Sequence, residues 1–330
     1  MGINNEVLLE VNNLKKHFLV RKHIFSKEKS YAKSVDGVSF TINKGKILGL
    51  VGESGCGKST TGKTLLNLIE PTAGSVKFEN EVIFDIENKI YIDKKRMTLL
   101  RKDMQIIFQD PYASLNPRMN VENIICEGMK KHKIASGKEL QEKCKEILGM
   151  CGMDKYSLSK YPSEFSGGQR QRIGIARSLS VNPKFIVCDE PTAALDVSIQ
   201  SQILNLMLDL KDKFNLTYLF ISHNLSVVRY FCEDICVMYL GVIVEKAAAE
   251  ELYKNPLHPY TKALISSVPK THPLDKRERV QLKGSIPGAS NIPIGCRFHT
   301  RCPYAKDICK NEIPKYKEVG SNHFVACHLI

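Results

Sequence analysis

Gly52-Glu53-Ser54-Gly55-Cys56-Gly57-Lys58-Ser59-Thr60 is the stretch that decides the fold class of this chain. Its fixed positions, Gly52-x4-Gly57-Lys58-Ser59, satisfy the phosphate-binding-loop template. Ile47-Leu48-Gly49-Leu50-Val51 precedes it, a short apolar run of the kind a buried strand needs. Ser59 to Leu68 follows it and predicts a helix. Gly52, Gly55 and Gly57, with Ser54 and Cys56 between them, let the backbone turn successive N–H groups inward, where they cradle phosphate oxygens. The helix start, carrying Thr60, adds its positive dipole end. Lys58 is the mobile cation for the β- and γ-phosphates, and the Ser59 hydroxyl is a Mg²⁺ ligand.

Phe185-Ile186-Val187-Cys188-Asp189-Glu190 is a second apolar strand, and it ends in two carboxylates. Asp189 is placed to hold Mg²⁺, directly or through water, and Glu190 to polarise a water in line with the γ-phosphate. Thr217–Ile221 and Ile235–Tyr239 read as further strands of a mainly parallel α/β sheet. Between Pro111 and Ser180 lies a helical insertion. Glu139–Gly149 is predicted to be one of its helices, with Leu140, Ile147 and Leu148 facing inward. Ile199, Ile203, Leu206, Met207 and Leu210 recur at helical spacing and predict a core-facing stripe.

These motifs, in this order, resemble the ATP-binding subunits of ABC transporters across residues 1 to about 250. Phe165-Ser166-Gly167-Gly168-Gln169 is similar to the ABC signature, with Phe where Leu is commoner. Gln109 falls at the Q-loop glutamine, Ala194-Leu195-Asp196 at the D-loop, and His223 at the switch histidine. The resemblance implies an α/β P-loop ATPase core with an antiparallel β-subdomain, a helical signature subdomain (about 111–180) and a small Cys-rich C-terminal extension. It implies a nucleotide-binding domain over 1–255 and the extension over 256–330. It also implies a mechanism: two such domains pair head to tail and sandwich two ATP molecules. The phosphate loop of one then faces Ser166, Gly167, Gly168 and Gln169 of the other. Gln109 would sense Mg²⁺ and the attacking water, and His223 the γ-phosphate. Phe18 sits where the family stacks adenine on an aromatic ring, with Tyr31 as a rival.

From Asn255-Pro256-Leu257-His258-Pro259-Tyr260 onward the composition shifts to loops, prolines and lysines. Cys296, Cys302, Cys309 and Cys327 sit there, spaced Cys-x5-Cys-x6-Cys-x17-Cys. Four thiolates suit zinc or an iron–sulfur cluster. The spacing matches neither zinc ribbons nor common ferredoxin runs and leaves the metal open. The other seven cysteines, Cys56, Cys188 and Cys236 among them, read as small buried hydrophobes. The tail resembles the C-terminal extension of peptide-importer ATPases, and the Tyr112 to Pro117 loop resembles the F-type subunit of the oligopeptide and dipeptide branch. That resemblance implies a [4Fe–4S] cluster on the four cysteines, with Zn²⁺ as the alternative. It implies peptide uptake, driven with a sister ATPase subunit or a second copy, two transmembrane permease subunits and an extracytoplasmic peptide-binding protein.

Composition bounds the rest. The 330 residues are 43% hydrophobic and 25% charged, enough for a sizeable core. No apolar run approaches the roughly 20 residues that span a bilayer, and no signal sequence opens the chain. A soluble subunit is expected, held at the cytoplasmic face of the membrane through partners. The net charge of +13 is spread along the chain instead of massed in one tract, which suits a protein under an anionic leaflet. Nickel uptake by the same branch is one alternative. A soluble ABC ATPase on nucleic acid is another, opposed by the lack of an aromatic-rich basic patch.

Overall fold

The computed structural model describes residues 6–20, 30–268, 280, 282 and 284–330. They form two compact units, one built on 43–46 and 92–221, the other on 7–42, 47–91 and 222–330.

In the first unit, Phe185–Asp189 lies between Met104–Ile107 and Thr217–Ser222, parallel to both. Val187 is in register with Ile106 on one side and Leu219 on the other. All five residues of Phe185–Asp189 are buried. An unbroken apolar run is what a parallel strand covered on both faces requires. The helices of this unit are Lys94–Asp103, Val121–Lys131, Gly137–Met150, Gly167–Leu179 and Val197–Phe214. Gly137–Met150 buries Leu140, Cys144 and Leu148 at i, i+4 and i+8, so Cys144 takes the inward place read for Ile147, which is half-buried. In Val197–Phe214 the buried line is Ile203, Leu204, Met207 and Leu210, with Ile199 and Leu206 only half-buried. The stripe is thus rotated toward Leu204 from the one the spacing predicts.

The second unit holds an antiparallel sheet, ordered Ser30–Asn43, Val7–Val20, Ala73–Phe78, Glu81–Asp85, Ile90–Tyr91. This is the β-subdomain the sequence resemblance implies. Its alternating burial, as in Ala73–Phe78, is that of a sheet with one face on the core. A second set of strands runs Tyr316–Gly320, His323–Ala326, Val242–Ala248, Asp234–Tyr239, Ile47–Val51. Ile47–Val51 is parallel to Asp234–Tyr239, with Leu50 opposite Cys236. The apolar run Ile235–Val244 is two antiparallel strands turning at Leu240 and Gly241.

The tail carries more order than its composition suggests. Its hairpin extends the strand Val242–Ala248, with Val325 opposite Glu245. Pro259–Ser266 is a helix, with Pro259 at the first position, where a missing N–H costs nothing. Glu245 is fully buried and explains the arrangement. Its carboxylate accepts from the N–H groups of Leu257 at 2.7 Å and His258 at 2.9 Å. Nε2 of His323 lies 2.9 Å from it as well. A buried carboxylate needs such partners, and here the tail supplies three of them.

Nδ1 of His258 accepts the Tyr260 N–H at 3.1 Å and so caps the helix. Burial holds the His258 pKa down to about 3, against an ordinary 6.5. The folded state therefore binds fewer protons than the unfolded state between those values. Stability is unaffected above about pH 6.5 and is lost as pH falls below it, at up to about 1.4 kcal/mol per unit. In His258→Asn the side-chain oxygen can keep the cap without titrating. We expect the parental melting temperature to drop more steeply from pH 7 to pH 4 than that of His258→Asn, measured by circular dichroism. Parallel curves would contradict this role for His258.

Candidate functional site

The phosphate loop leaves the strand Ile47–Val51 and enters the helix Lys58–Leu65, slightly earlier and shorter than the predicted Ser59–Leu68. Its path is set by close approach to backbone. A Cβ on Gly52 would lie 2.2 Å from the Met238 carbonyl oxygen, and one on Gly57 would lie 2.0 Å from that of Ser34. Gly57 also has φ +110°, outside the range of ordinary side chains. The Gly241 N–H donates to the Cys56 carbonyl at 2.9 Å, and the Asp36 N–H to that of Gly241 at 2.8 Å. The loop is thus threaded between the turn after Asp234–Tyr239 and the antiparallel sheet. Ser54 and Gly55 stand exposed at its crest, while Cys56, Gly57 and Lys58 are buried. Nζ of Lys58 donates to the carbonyl oxygens of Gly52 at 2.8 Å and Glu53 at 3.1 Å. Ser59 and Thr60 are half-buried on the first turn of the helix.

The two candidate carboxylates stand in the other unit, Asp189 as the last residue of the strand Phe185–Asp189 and Glu190 directly after it. Asp189 is 3% exposed. Glu190 is half-buried, and its N–H donates to the Ile221 carbonyl at 3.0 Å. Its φ of +45° is uncommon for a residue with a side chain and is held there by that bond. Nε2 of Gln109 donates to Oε2 of Glu190 at 3.1 Å. The structure thus joins the Q-loop position to the candidate base directly. Gln109 is followed by an Asp-initiated turn in which Asp110 accepts from the N–H groups of Tyr112 and Ala113.

The Ser166-Gly167-Gly168-Gln169 segment begins the helix Gly167–Leu179. Ser166 Oγ accepts from the Gln169 N–H at 3.4 Å, and the Gln169 side chain accepts from the Ser166 N–H at 3.0 Å. This reciprocal cap presents the helix start without covering it. Ser166 and Gln169 are exposed. Phe165 is buried and anchors the segment. The Arg170 guanidinium stacks 4.0 Å from the Tyr112 ring centroid and donates to the Phe165 carbonyl. A Cβ on Gly168 would stand 2.5 Å from Cγ2 of Ile199, so the two helices touch where the glycine is.

His223 is exposed, next to Asn224, which caps the helix Leu225–Phe231. Phe18 lies on the strand Val7–Val20, 38% exposed, with Nζ of Lys16 at 4.9 Å from its ring centroid. Tyr31, on Ser30–Asn43, is 47% exposed. The seven body cysteines are all buried, as read from the sequence. Burial pushes the thiols of Cys151 and Cys236 up to about 12.

In the tail, burial pushes the Cys296 thiol up to about 11. The Phe298 backbone lowers it, and Cys309, Cys327 and Cys302 raise it further. The Cys296 N–H donates to the Cys309 carbonyl at 2.8 Å, which brings these two residues together. Among the described residues, however, no group of three or more His, Cys, Asp or Glu side chains is placed to hold a metal ion. No helix of the described residues is long and apolar enough to cross a membrane. Sequence reasoning missed Arg301, whose guanidinium donates to both carboxylate oxygens of Glu53 in the phosphate loop, at 2.6 and 3.0 Å. Partners 248 positions apart leave no local pattern to read.

Known proteins resemble the chain along its full length. The profile of the family described as "ABC transporter" matches residues 35–193, and that of "Oligopeptide/dipeptide transporter, C-terminal region" matches residues 244–309. The oligopeptide transport ATP-binding protein AppF of Bacillus subtilis (strain 168) is 52% identical over 328 residues, covering 99% of this chain and 98% of that one. The di/tripeptide transport ATP-binding protein DppF of Pseudomonas aeruginosa (strain UCBPP-PA14) is 43% identical over 323 residues, with 98% of each covered. Among solved structures, the dimeric post-hydrolysis state of the ATP-binding cassette MJ0796 bound to ADP and Pi superposes with a TM-score of 0.63. That cassette is 28% identical, with 73% of this chain and 99% of the cassette covered. The cbiO1 subunit from Clostridium perfringens shares the fold at 24% identity, with a TM-score of 0.63 and 76% and 92% coverage.

The cap at Ser166 is testable without nucleotide. Ser166→Ala removes one acceptor from the helix start and should lower unfolding free energy by about 1 kcal/mol. Denaturant titration would measure it. An unchanged midpoint would contradict the capping geometry.

Proposed function

The chain belongs to the ABC transporter ATP-binding proteins of the oligopeptide and dipeptide branch, and on that premise we propose that it hydrolyses ATP to power peptide uptake. The observation that carries this is the match to peptide-transport ATPases from end to end, tail included. The two relatives are an oligopeptide transport and a di/tripeptide transport ATP-binding protein. Neither nickel nor nucleic acid is therefore retained as the cargo or substrate.

The residues divide the work. Gly52, Ser54, Gly55, Cys56, Gly57 and Thr60, with Lys58, bind the phosphates through backbone N–H groups and one cation. Ser59, Asp189 and Gln109 would hold Mg²⁺, which offsets charge on the phosphates. Glu190 accepts a proton from the attacking water. The bond from Gln109 supports this role, since it fixes the carboxylate's orientation. His223 contacts the γ-phosphate, and Phe18 or Tyr31 stacks on adenine.

Ser166, Gly167, Gly168 and Gln169 act on the nucleotide of a second ATPase subunit, a sister chain or another copy, paired head to tail. Their exposure and capped helix start support that reading. Two permease subunits carry the peptide path, and an extracytoplasmic binding protein delivers cargo. The chain works at the cytoplasmic face of the membrane, with a cassette over 1–255, its helical part near 111–180, and the extension over 256–330.

We further propose a [4Fe–4S] cluster on Cys296, Cys302, Cys309 and Cys327. The donor set and the backbone bond between Cys296 and Cys309 support it. Their placement does not close into a metal-holding group, so no step of the reaction is assigned to it.

Glu190→Gln should bind ATP like the parent while turnover falls at least about 100-fold, the scale of a lost general base. Steady-state ATPase assays on the assembled transporter, beside equilibrium nucleotide binding, measure both. Parental turnover would remove Glu190 from its role. Anaerobically purified protein should be brown, absorb near ~400 nm and contain iron with acid-labile sulfide. A colourless sample with stoichiometric zinc would favour the other metal.

A further inference from the structure

Glu53 sets a problem for its own loop. It follows Gly52 directly, so a carboxylate sits in the segment read as the cradle for a triphosphate. Left unpaired, that charge would oppose the phosphates through the partly buried medium of the site. The C-terminal extension answers it. Arg301 is 6% exposed, and its two terminal nitrogens meet the two Glu53 oxygens in a bidentate pair. This is the geometry in which arginine binds a carboxylate most strongly. The same extension holds the loop backbone. The Tyr260 hydroxyl accepts the Glu53 N–H at 2.9 Å.

Arg301 is itself held. Its N–H and that of Cys302 both donate to the Phe298 carbonyl, at 3.0 and 2.9 Å. Phe298 is 1% exposed and packs against Tyr239 and Tyr260, with ring centroids 5.2 and 5.4 Å away. Beside it, Arg297 pairs with Asp36 and donates to the Leu240 carbonyl. The extension thus grips the phosphate loop at Glu53 and the two segments against which that loop packs. All of these residues lie within one compact unit.

We infer that Arg301 is a positioning residue for nucleotide binding. It cancels the Glu53 charge and fixes the loop backbone that receives the phosphates. The extension then does more than append a cysteine-bearing tail, because it completes the binding loop from the far end of the chain. The inference rests on the ATP reading above and deepens it.

The test is a double-mutant cycle on the full-length chain, with equilibrium binding of ATP and ADP and with KM and kcat of the assembled transporter. Arg301→Met should weaken ATP binding about tenfold, which is about 1.4 kcal/mol. ADP, with less charge, should lose less. KM should rise while kcat at saturating ATP changes little. Glu53→Gln in the Arg301→Met background should recover most of the lost affinity, since the charge to be cancelled is then gone. Arg301→Lys should retain part of it. Thermal melting of each variant reports folding separately. A double variant as weak as Arg301→Met, or an Arg301→Met that binds ATP like the parent, overturns the inference. A parent chain that bound no ATP would instead sink the ATP reading, and this inference with it.

Discussion

The constraint on which the rest depends is the lack of room around the phosphate loop. Two of its glycines approach carbonyl oxygens of neighbouring segments so closely that no Cβ fits. The loop cannot move outward without losing its bond to Gly241, nor inward without colliding with Met238 and Ser34. The backbone path of the loop is therefore set by its packing, and a ligand that binds there need not carry the cost of ordering it. The strand Ile47–Val51, all five residues buried, fixes where the loop begins.

Around that constraint the chain uses carboxylates in three ways. Glu190 is left half-buried, and its carboxylate is oriented by the bond from Gln109. Glu245 is fully buried and organises the tail by accepting bonds from its backbone and from His323. Glu53 lies in the loop and is matched by an arginine from the extension. The same functional group is thus candidate base, structural acceptor or clamped charge according to its surroundings.

Much of this was legible in the sequence, for a physical reason. Phosphate loops and buried parallel strands are local: an apolar run and a spaced set of glycines specify them within a dozen residues. Ile47–Val51 matches its predicted ends, the predicted strand from Phe185 to Glu190 stops one residue short at Asp189, and the predicted Thr217–Ile221 and Ile235–Tyr239 each gain one residue in the structure. Helix faces were less legible, because periodicity gives a stripe but not which neighbour it meets. Leu204 is absent from the predicted stripe for that reason, and Cys144, expected to be buried, is not assigned to the inward face of its helix. The tail was least legible. Its order comes from Glu245, His258 and Arg301, whose partners are distant in sequence or are backbone groups. Pro256 and Pro259 read as loop punctuation, although Pro259 opens a helix.

The central claim is that ATP is held between two subunits, each completing the other's site. The most direct measurement is sedimentation of the Glu190→Gln chain, with and without its sister subunit, in ATP and Mg²⁺. The account predicts a dimer that forms with ATP and disperses when nucleotide is removed. A chain that stays monomeric at high concentration under both conditions, while nucleotide is bound, would contradict it.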